Sequence, residues 1–257
     1  MKSRILVADI ETSPAKVYVW KFWKENVAPK QVIEHPHIMS FAAKWLGEDE
    51  IFYYESRTSN DKALVEKLCY FLDQADMVVA HNGVNFDLPK IRARALVHKL
   101  TPPSPVKIID TLKIARAEFG FSGNSLEYLS NVLDLKIQKG AHPKFAGFTL
   151  WLECLKGNEE AWESMKEYNI KDIVVLEELY LRLRPWDTKA PNLAVYEEPT
   201  DSPICPKCGG THVQWRGHAY TSVGKYHRYQ CTSCGGWGRG RYSLLPKNEN
   251  LITNLAT

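Results

Sequence analysis

Apolar and polar positions alternate along this chain in two different periods. Ile5-Leu6-Val7-Ala8 is an unbroken apolar run leading into Asp9-Ile10-Glu11, as expected of a buried strand. Segments 17–23 and 38–46 alternate in apolar character, and with Ile51-Phe52-Tyr53-Tyr54 they predict further strands. The last two are joined by a turn at Gly47-Glu48-Asp49-Glu50. The period lengthens over 61–74, where Leu64, Leu68, Phe71 and Leu72 share a helical face and Ser59 or Asn60 supplies the cap. Beyond it the pattern predicts a strand at 77–80, a helix at 88–99, a strand at 106–109 and helices at 111–118 and 125–133. Segment 136–150 reads as an irregular loop, and 158–182 is the longest helical pattern. Strands first, then strands alternating with helices, predict a mixed α/β sheet with helices packed on it.

Prolines 185, 191, 199 and 203 stand among polar and acidic residues and give 185–203 the composition of a linker. It divides the chain into a large domain (1–184), a small one (204–245) and a tail (246–257). At 257 residues with 44% hydrophobic, the chain is of ordinary globular composition and has no long uncharged apolar stretch. Asp9 and Glu11 would spoil a secretory leader, so the expected location is cytoplasmic, or nuclear in a eukaryote, with no membrane partner. Net charge is +3, but from Pro199 onward seven Lys/Arg face two acids, so the basic excess belongs to the small domain. That asymmetry points to a polyanionic partner there.

Three acidic motifs carry the candidate chemistry. Asp9 and Glu11 are two apart on a strand and so project from one face, where they repel and lose hydration. A divalent cation would offset both charges; a strand that simply ends in solvent is the alternative. His81-Asn82-Gly83-Val84-Asn85-Phe86-Asp87 follows the strand 77–80, and Asp87 either reaches a site above the sheet or caps the helix starting at Leu88-Pro89. Tyr168 and Asp172, four apart, share a face of the long helix, which otherwise reads as plainly amphipathic.

Taken together in this order, Asp-x-Glu, Asn-x-x-x-Phe-Asp and Tyr-x-x-x-Asp resemble the tyrosine branch of the DEDD (DnaQ-like) 3′–5′ exonuclease superfamily. The likeness extends to the proofreading domain of family B DNA polymerases and to the YprB-like group, and covers about residues 4–184. Asp110-Thr111 and Ser125-Leu126-Glu127-Tyr128-Leu129 also look like the family's intervening region. The resemblance implies a ribonuclease H-like mixed five-stranded sheet flanked by helices. It implies two Mg²⁺ or Mn²⁺ ions held by Asp9, Glu11, Asp87 and Asp172, with Asp9 bridging, and an attacking water oriented by Tyr168. Thr12 and Asn82 would contact the terminal nucleotide. The implied activity is stepwise release of 5′ mononucleotides from a 3′ end, most simply of single-stranded DNA. A ribonuclease of the same chemistry and a non-catalytic nucleic-acid-binding recruitment protein are the alternatives.

Of six cysteines, Cys69 and Cys154 stand alone in apolar surroundings and read as core thiols. Cys205, Cys208, Cys231 and Cys234 form two Cys-x-x-Cys pairs, 22 residues apart and each followed by Gly-Gly. This pattern resembles a zinc ribbon, with one structural Zn²⁺ on four sulfurs and His212, His218 and His227 outside the shell. Trp215, Arg216, Arg228, Arg239 and Arg241, interleaved aromatic and basic, suit base stacking and phosphate contact. Docking to a replication or repair protein is the alternative.

Overall fold

Strand β1 (Ile5–Thr12) is the middle strand of a five-stranded sheet in the computed structural model, which describes residues 3–137, 144–246 and 251–253. After β1 comes a small arm of two short paired strands, β2 (Lys16–Val17) and β3 (Val32–Glu34), outside the main sheet. Strands β4 (Ile38–Trp45), β5 (Ile51–Glu55), β6 (Met77–Ala80) and β7 (Lys107–Asp110) complete the sheet in the order β5-β4-β1-β6-β7. The β5–β4 and β4–β1 pairs are antiparallel, while β1–β6 and β6–β7 are parallel. This is the mixed five-stranded sheet that the resemblance implied.

Its helices are α1 (Lys62–Gln74), α2 (Asp87–Val97), α3 (Thr111–Glu118), α4 (Leu126–Val132), α5 (Thr149–Leu155) and α6 (Glu159–Leu183). One face of the sheet packs on α1 and α2: Leu6 and Ile10 of β1 join Phe41, Leu64, Leu68, Phe71 and Ile91 in one apolar cluster. A second cluster sets Met39 of β4 against Leu150 and Cys154 of α5 and Trp162 and Met165 of α6. Cys69 and Cys154 are both buried free thiols. Helix α6 is tied to the sheet by the ion pair between Lys44 and Glu177, whose other oxygen accepts from the Gly47 N–H at 2.7 Å.

Two expectations need correction. The strand expected over 17–23 shrinks to Lys16–Val17, because the alternating aromatics that follow have no sheet face to bury against and lie exposed. The expected loop 136–150 runs into α5 at Thr149, while its residues 138–143 lie outside the described set. Helix α1 follows Asp61, and Asn60, one of the two expected caps, accepts from the Lys62 N–H at 3.4 Å through its Oδ1. The fully buried Asp61 carboxylate turns away to Arg94 (2.6 and 2.8 Å), His98 (2.5 Å) and the Ile38 N–H (2.8 Å).

Burial by itself raises the pKa of Asp61, but the hydrogen bonds from Arg94, His98 and Ile38 outweigh it and hold the carboxyl below its usual range. A depressed carboxyl stabilises the fold above its unfolded-state value, and that contribution is lost as pH falls through the folded value. Asp61→Ala strands a mostly buried guanidinium and is expected to cost about 3–5 kcal/mol at neutral pH. Urea denaturation checks this: the gap from wild type should narrow on acidification, and equal midpoints at pH 7 would contradict it.

The chain divides into two units, Arg4–Tyr180 and Leu181–Thr257 with the first three residues. The second unit carries β8 (Val213–Tyr220), β9 (Lys225–Cys231) and β10 (Trp237–Arg239) in an antiparallel sheet of order β10-β9-β8. Ahead of it, Leu193–Tyr196 forms a short 3-10 helix within the proline-rich segment. There the buried Leu193 donates its N–H to the Pro206 carbonyl at 2.8 Å, seating the segment on the first cysteine loop. Among the described residues no helix is long and apolar enough to cross a membrane.

Candidate functional site

Alternation along β1 sorts its residues between two environments. Leu6, Ala8 and Ile10 point into the α1/α2 core, which leaves Asp9 and Glu11 on the face covered by α6. There Asp172 joins them: carboxylate oxygens of Asp9, Glu11 and Asp172 all lie within 4.8 Å of one another. Asp172 is 3% exposed, so the helix aims it into the sheet rather than at solvent. Three carboxylates so close, one buried, repel strongly unless a cation lies among them. All-oxygen donors at this spacing fit a hard divalent ion.

Asp87 reaches the same strand by another route. It is the first residue of α2, after Phe86, and is 7% exposed. Its Oδ1 accepts a hydrogen bond from the Ile10 N–H at 3.3 Å, placing the carboxylate at the backbone between Asp9 and Glu11. The capping alternative fails, since the side chain leaves its own helix end for β1. Burial pushes its pKa up to about 6, with the neighbouring Asp110 adding to the rise and the Ile10 N–H opposing it. Three of the predicted acids thus form one cluster, and Asp87 stands at the Ile10 backbone beside it.

Tyr168 stands one turn before Asp172 on α6, with its ring edge-on to Trp151 of α5 at 5.9 Å between centroids. Between the two lies a residue that sequence reasoning passed over. Asn169 is fully buried; its Nδ2 donates to Asp9 Oδ2 at 3.0 Å and its Oδ1 accepts from Ser40 Oγ at 3.1 Å. It fixes the Asp9 carboxylate, and its position beside Tyr168 was the only signal that could have pointed to it. Asp110, singled out in the sequence only as part of the family's intervening region, takes a similar part. Its carboxylate caps α3 through Leu112 and Lys113 and also accepts from the N–H groups of Asn82 (2.9 Å) and Val84 (3.3 Å). That clip holds the loop delivering Asp87. Asn82 adopts φ +69°, and a Cβ on Gly83 would come within 2.4 Å of the Ala80 Cβ, so the turn needs glycine there. The Asn82 side chain accepts from Asn85 at 3.2 Å. Thr12 sits at a register shift against β4, half-buried just past Glu11.

Comparison with known proteins agrees with the fold. Residues 33–184 match the RNase_H_2 family, described as RNase_H superfamily. The chain belongs to the RNase_H superfamily. The matched stretch of this superfamily member includes Asp87, Tyr168 and Asp172, while Asp9 and Glu11 lie ahead of it. Among solved structures, the family B DNA polymerase of the hyperthermophilic archaeon Pyrobaculum calidifontis is similar at a TM-score of 0.54 and 12% identity. The match covers 73% of this chain and 26% of the polymerase, and shows a shared fold. No curated protein matches the chain.

The second unit of this RNase_H superfamily chain holds the other metal-type cluster. Sγ atoms of Cys205, Cys208, Cys231 and Cys234 lie within 4.8 Å of one another, with Cys205–Cys234 and Cys208–Cys231 each at 3.7 Å. Metal–sulfur bonds of about 2.3 Å in a tetrahedron give sulfur–sulfur edges of about 3.8 Å, so the cage has the size of a Zn²⁺ site. Both loops close alike: the Cys205 N–H donates to the Gly210 carbonyl and the Cys231 N–H to that of Gly236. Gly209 and Gly235 take φ +72° and +79°, which the reversal demands. No histidine joins the cluster among the described residues. The cations expected to meet nucleic acid pair largely within the unit. Arg228 lies 5.2 Å from the Trp237 ring, Arg239 4.0 Å from Tyr226 and Arg241 5.9 Å from Tyr242. Arg216 reaches Gln214 at 2.9 Å, and Trp215 stays largely exposed beside His218 and His227.

Proposed function

We propose that this protein is a metal-dependent 3′–5′ exonuclease that shortens single-stranded DNA and releases 5′ mononucleotides. The observation carrying it is the convergence of Asp9, Glu11 and Asp172 within 4.8 Å, with Asp87 hydrogen-bonded to the strand between the first two. Superfamily membership supports nuclease chemistry, and the Tyr168–Asp172 turn supports the exonuclease branch.

Mg²⁺ or Mn²⁺, held by Asp9, Glu11 and Asp172 with Asp87 at a second ion, would supply charge neutralisation at the scissile phosphate and its leaving 3′ oxygen. The chain's own groups do the positioning. Tyr168, one turn before Asp172, orients the attacking water, Asn169 keeps Asp9 in place, and Thr12 and Asn82 border the end of the strand. In the second unit, Cys205, Cys208, Cys231 and Cys234 hold a structural Zn²⁺, and Trp215 with Arg216, Arg228, Arg239 and Arg241 adds a nucleic-acid contact.

End-labelled single-stranded DNA, duplex DNA and RNA incubated with Mg²⁺ test the reading. Stepwise shortening from the 3′ end, fastest on single-stranded DNA, is expected; a faster RNA reaction would make the protein a ribonuclease, and no metal-dependent shortening would end the proposal. Tyr168→Phe should lower turnover by about 10²-fold, the lower range for a positioned proton-transfer group, with an unchanged melting temperature. A lower melting temperature with unaltered turnover would assign Tyr168 to packing against Trp151.

A further inference from the structure

The arm between β1 and β4 carries aromatic surface that the carboxylate site leaves unexplained. Tyr18, Trp20, Phe22 and Trp23 are 76%, 94%, 95% and 86% exposed. Scattered apolar residues on a surface are ordinary, but four large rings within six residues form a patch that has a use. Lysines interrupt it: Lys21, Lys24 and Lys30 are exposed, while Lys16 pairs with Glu34 at 2.9 Å. Glu25 is the one acid between Lys16 and Glu34, so the arm is net positive.

Its placement ties it to the acids. Lys16 follows Glu11 by five residues, no more than about 18 Å of extended chain. The root is fastened to the start of β4, because the Ser13 N–H donates to the His37 carbonyl and the His37 N–H to Ser13 Oγ, both at 2.9 Å. Between this root and α5 runs an open groove of about 630 Å³, lined among others by Ser13, Lys16, His37, Phe148, Leu152 and Lys156. The same helix presents Trp151 to Tyr168, and Ser13 in the groove's lining follows Glu11 by two residues. A second hollow of about 500 Å³ continues on the arm among Tyr18, Trp20, Lys30 and Ile33.

We infer that the groove and arm form a stacking platform for single-stranded nucleic acid, gripping the strand several nucleotides away from the end held at the carboxylates. The inference rests on the nuclease reading above. Rings stack on any base and interleaved lysines meet the phosphates between them, so binding is tight without regard to sequence. An apolar protein partner would make no use of the lysines, and charge complementarity decides for nucleic acid.

The test uses the full chain without added divalent cation and fluorescein-labelled oligothymidylates of about 4 and about 12 nucleotides, within the range one strand-binding module covers. Trp20→Ala/Phe22→Ala/Trp23→Ala should weaken binding of the longer strand by about tenfold or more, and that of the shorter strand much less. Lys21→Gln/Lys24→Gln is a second, independent variant. It should flatten the plot of log affinity against log salt by about 1.4, or about 0.7 for each phosphate that a lysine no longer neutralises. Unchanged affinity and slope in both variants overturn the inference. So does retained affinity together with loss of concentration-dependent self-association in sedimentation, which would make the aromatics an interface between copies. Hydrolysis of thymidine 5′-(p-nitrophenyl phosphate) by wild-type protein with Mn²⁺ is scored separately: its absence counts against the nuclease reading, whereas the strand-affinity results judge the arm.

Discussion

Asp9→Ala is expected to remove metal-dependent strand shortening, with a loss of at least about 10³-fold, since the charge stabilisation at stake is several kcal/mol. Asp9 is the acid with the most riding on its position. Its carboxylate shares a 4.8 Å sphere with Glu11 and Asp172 and is held by Asn169 at 3.0 Å. Removing it takes away a ligand and leaves Asn169 without that acceptor. Stability should respond in the opposite sense. Without divalent ions, three crowded carboxylates repel, so Asp9→Ala should melt no lower than wild type and should lose the rise in melting temperature that Mn²⁺ gives the wild-type protein. Asn169→Ala provides the contrast: the acids remain but Asp9 loses its brace, and a 10- to 100-fold fall in activity or metal affinity is expected, as for other residues that orient ligands. End-labelled degradation and thermal melts with and without Mn²⁺ read all of these. Full activity in Asp9→Ala would remove the site from the reaction.

Stripping the metal from the second unit, or replacing Cys205 or Cys231 by serine, is expected to unfold residues 204–245 as a whole. Residues 204–245 form a small sheet and its loops, and most of their side chains are exposed or only half-buried, Cys205 and Cys231 being among the few buried ones. Apparent binding of a structural Zn²⁺ contributes about 10–16 kcal/mol near neutral pH, comparable to or larger than the about 5–15 kcal/mol that holds a typical domain together. Burial opposes ionisation of Cys231, yet N–H groups of Ser233 and Cys234 outweigh it and bring the thiol down to about 7. Metal loss should therefore accelerate on acidification, as protons compete for the sulfurs. Elemental analysis should find about one zinc per chain, and amide NMR signals of the unit should collapse after chelation. Signals that stay dispersed in metal-free protein would show a fold that stands without the ion.

Much of the site was legible because its information is local. Two acids two apart on an apolar strand must share a face, two residues four apart on a helix must be neighbours, and Cys-x-x-Cys-Gly-Gly can close as a knuckle with no help from elsewhere. The helix α5 was missed because Thr149–Leu155 is too short to show a helical period. The strand drawn over 17–23 failed for a related reason: alternation says that side chains point two ways, not that anything awaits them on either side.

Spacing put residues 9 and 11, and 168 and 172, on shared faces and paired the four cysteines, while the resemblance of the motifs taken together made the acids a candidate site; spacing fixes which side chains point together along one element. It does not fix what meets them across elements. That Asp87 turns to the Ile10 backbone instead of capping α2, that Asn169 rather than solvent holds Asp9, and that the Asp61 carboxylate joins Arg94 and His98 instead of capping α1 were settled by packing. Each is a polar group caught inside the protein, where the partner must be found within reach or the desolvation cost stands uncompensated. Which partner lies within reach depends on how sheet and helices come together, and that is written in three dimensions.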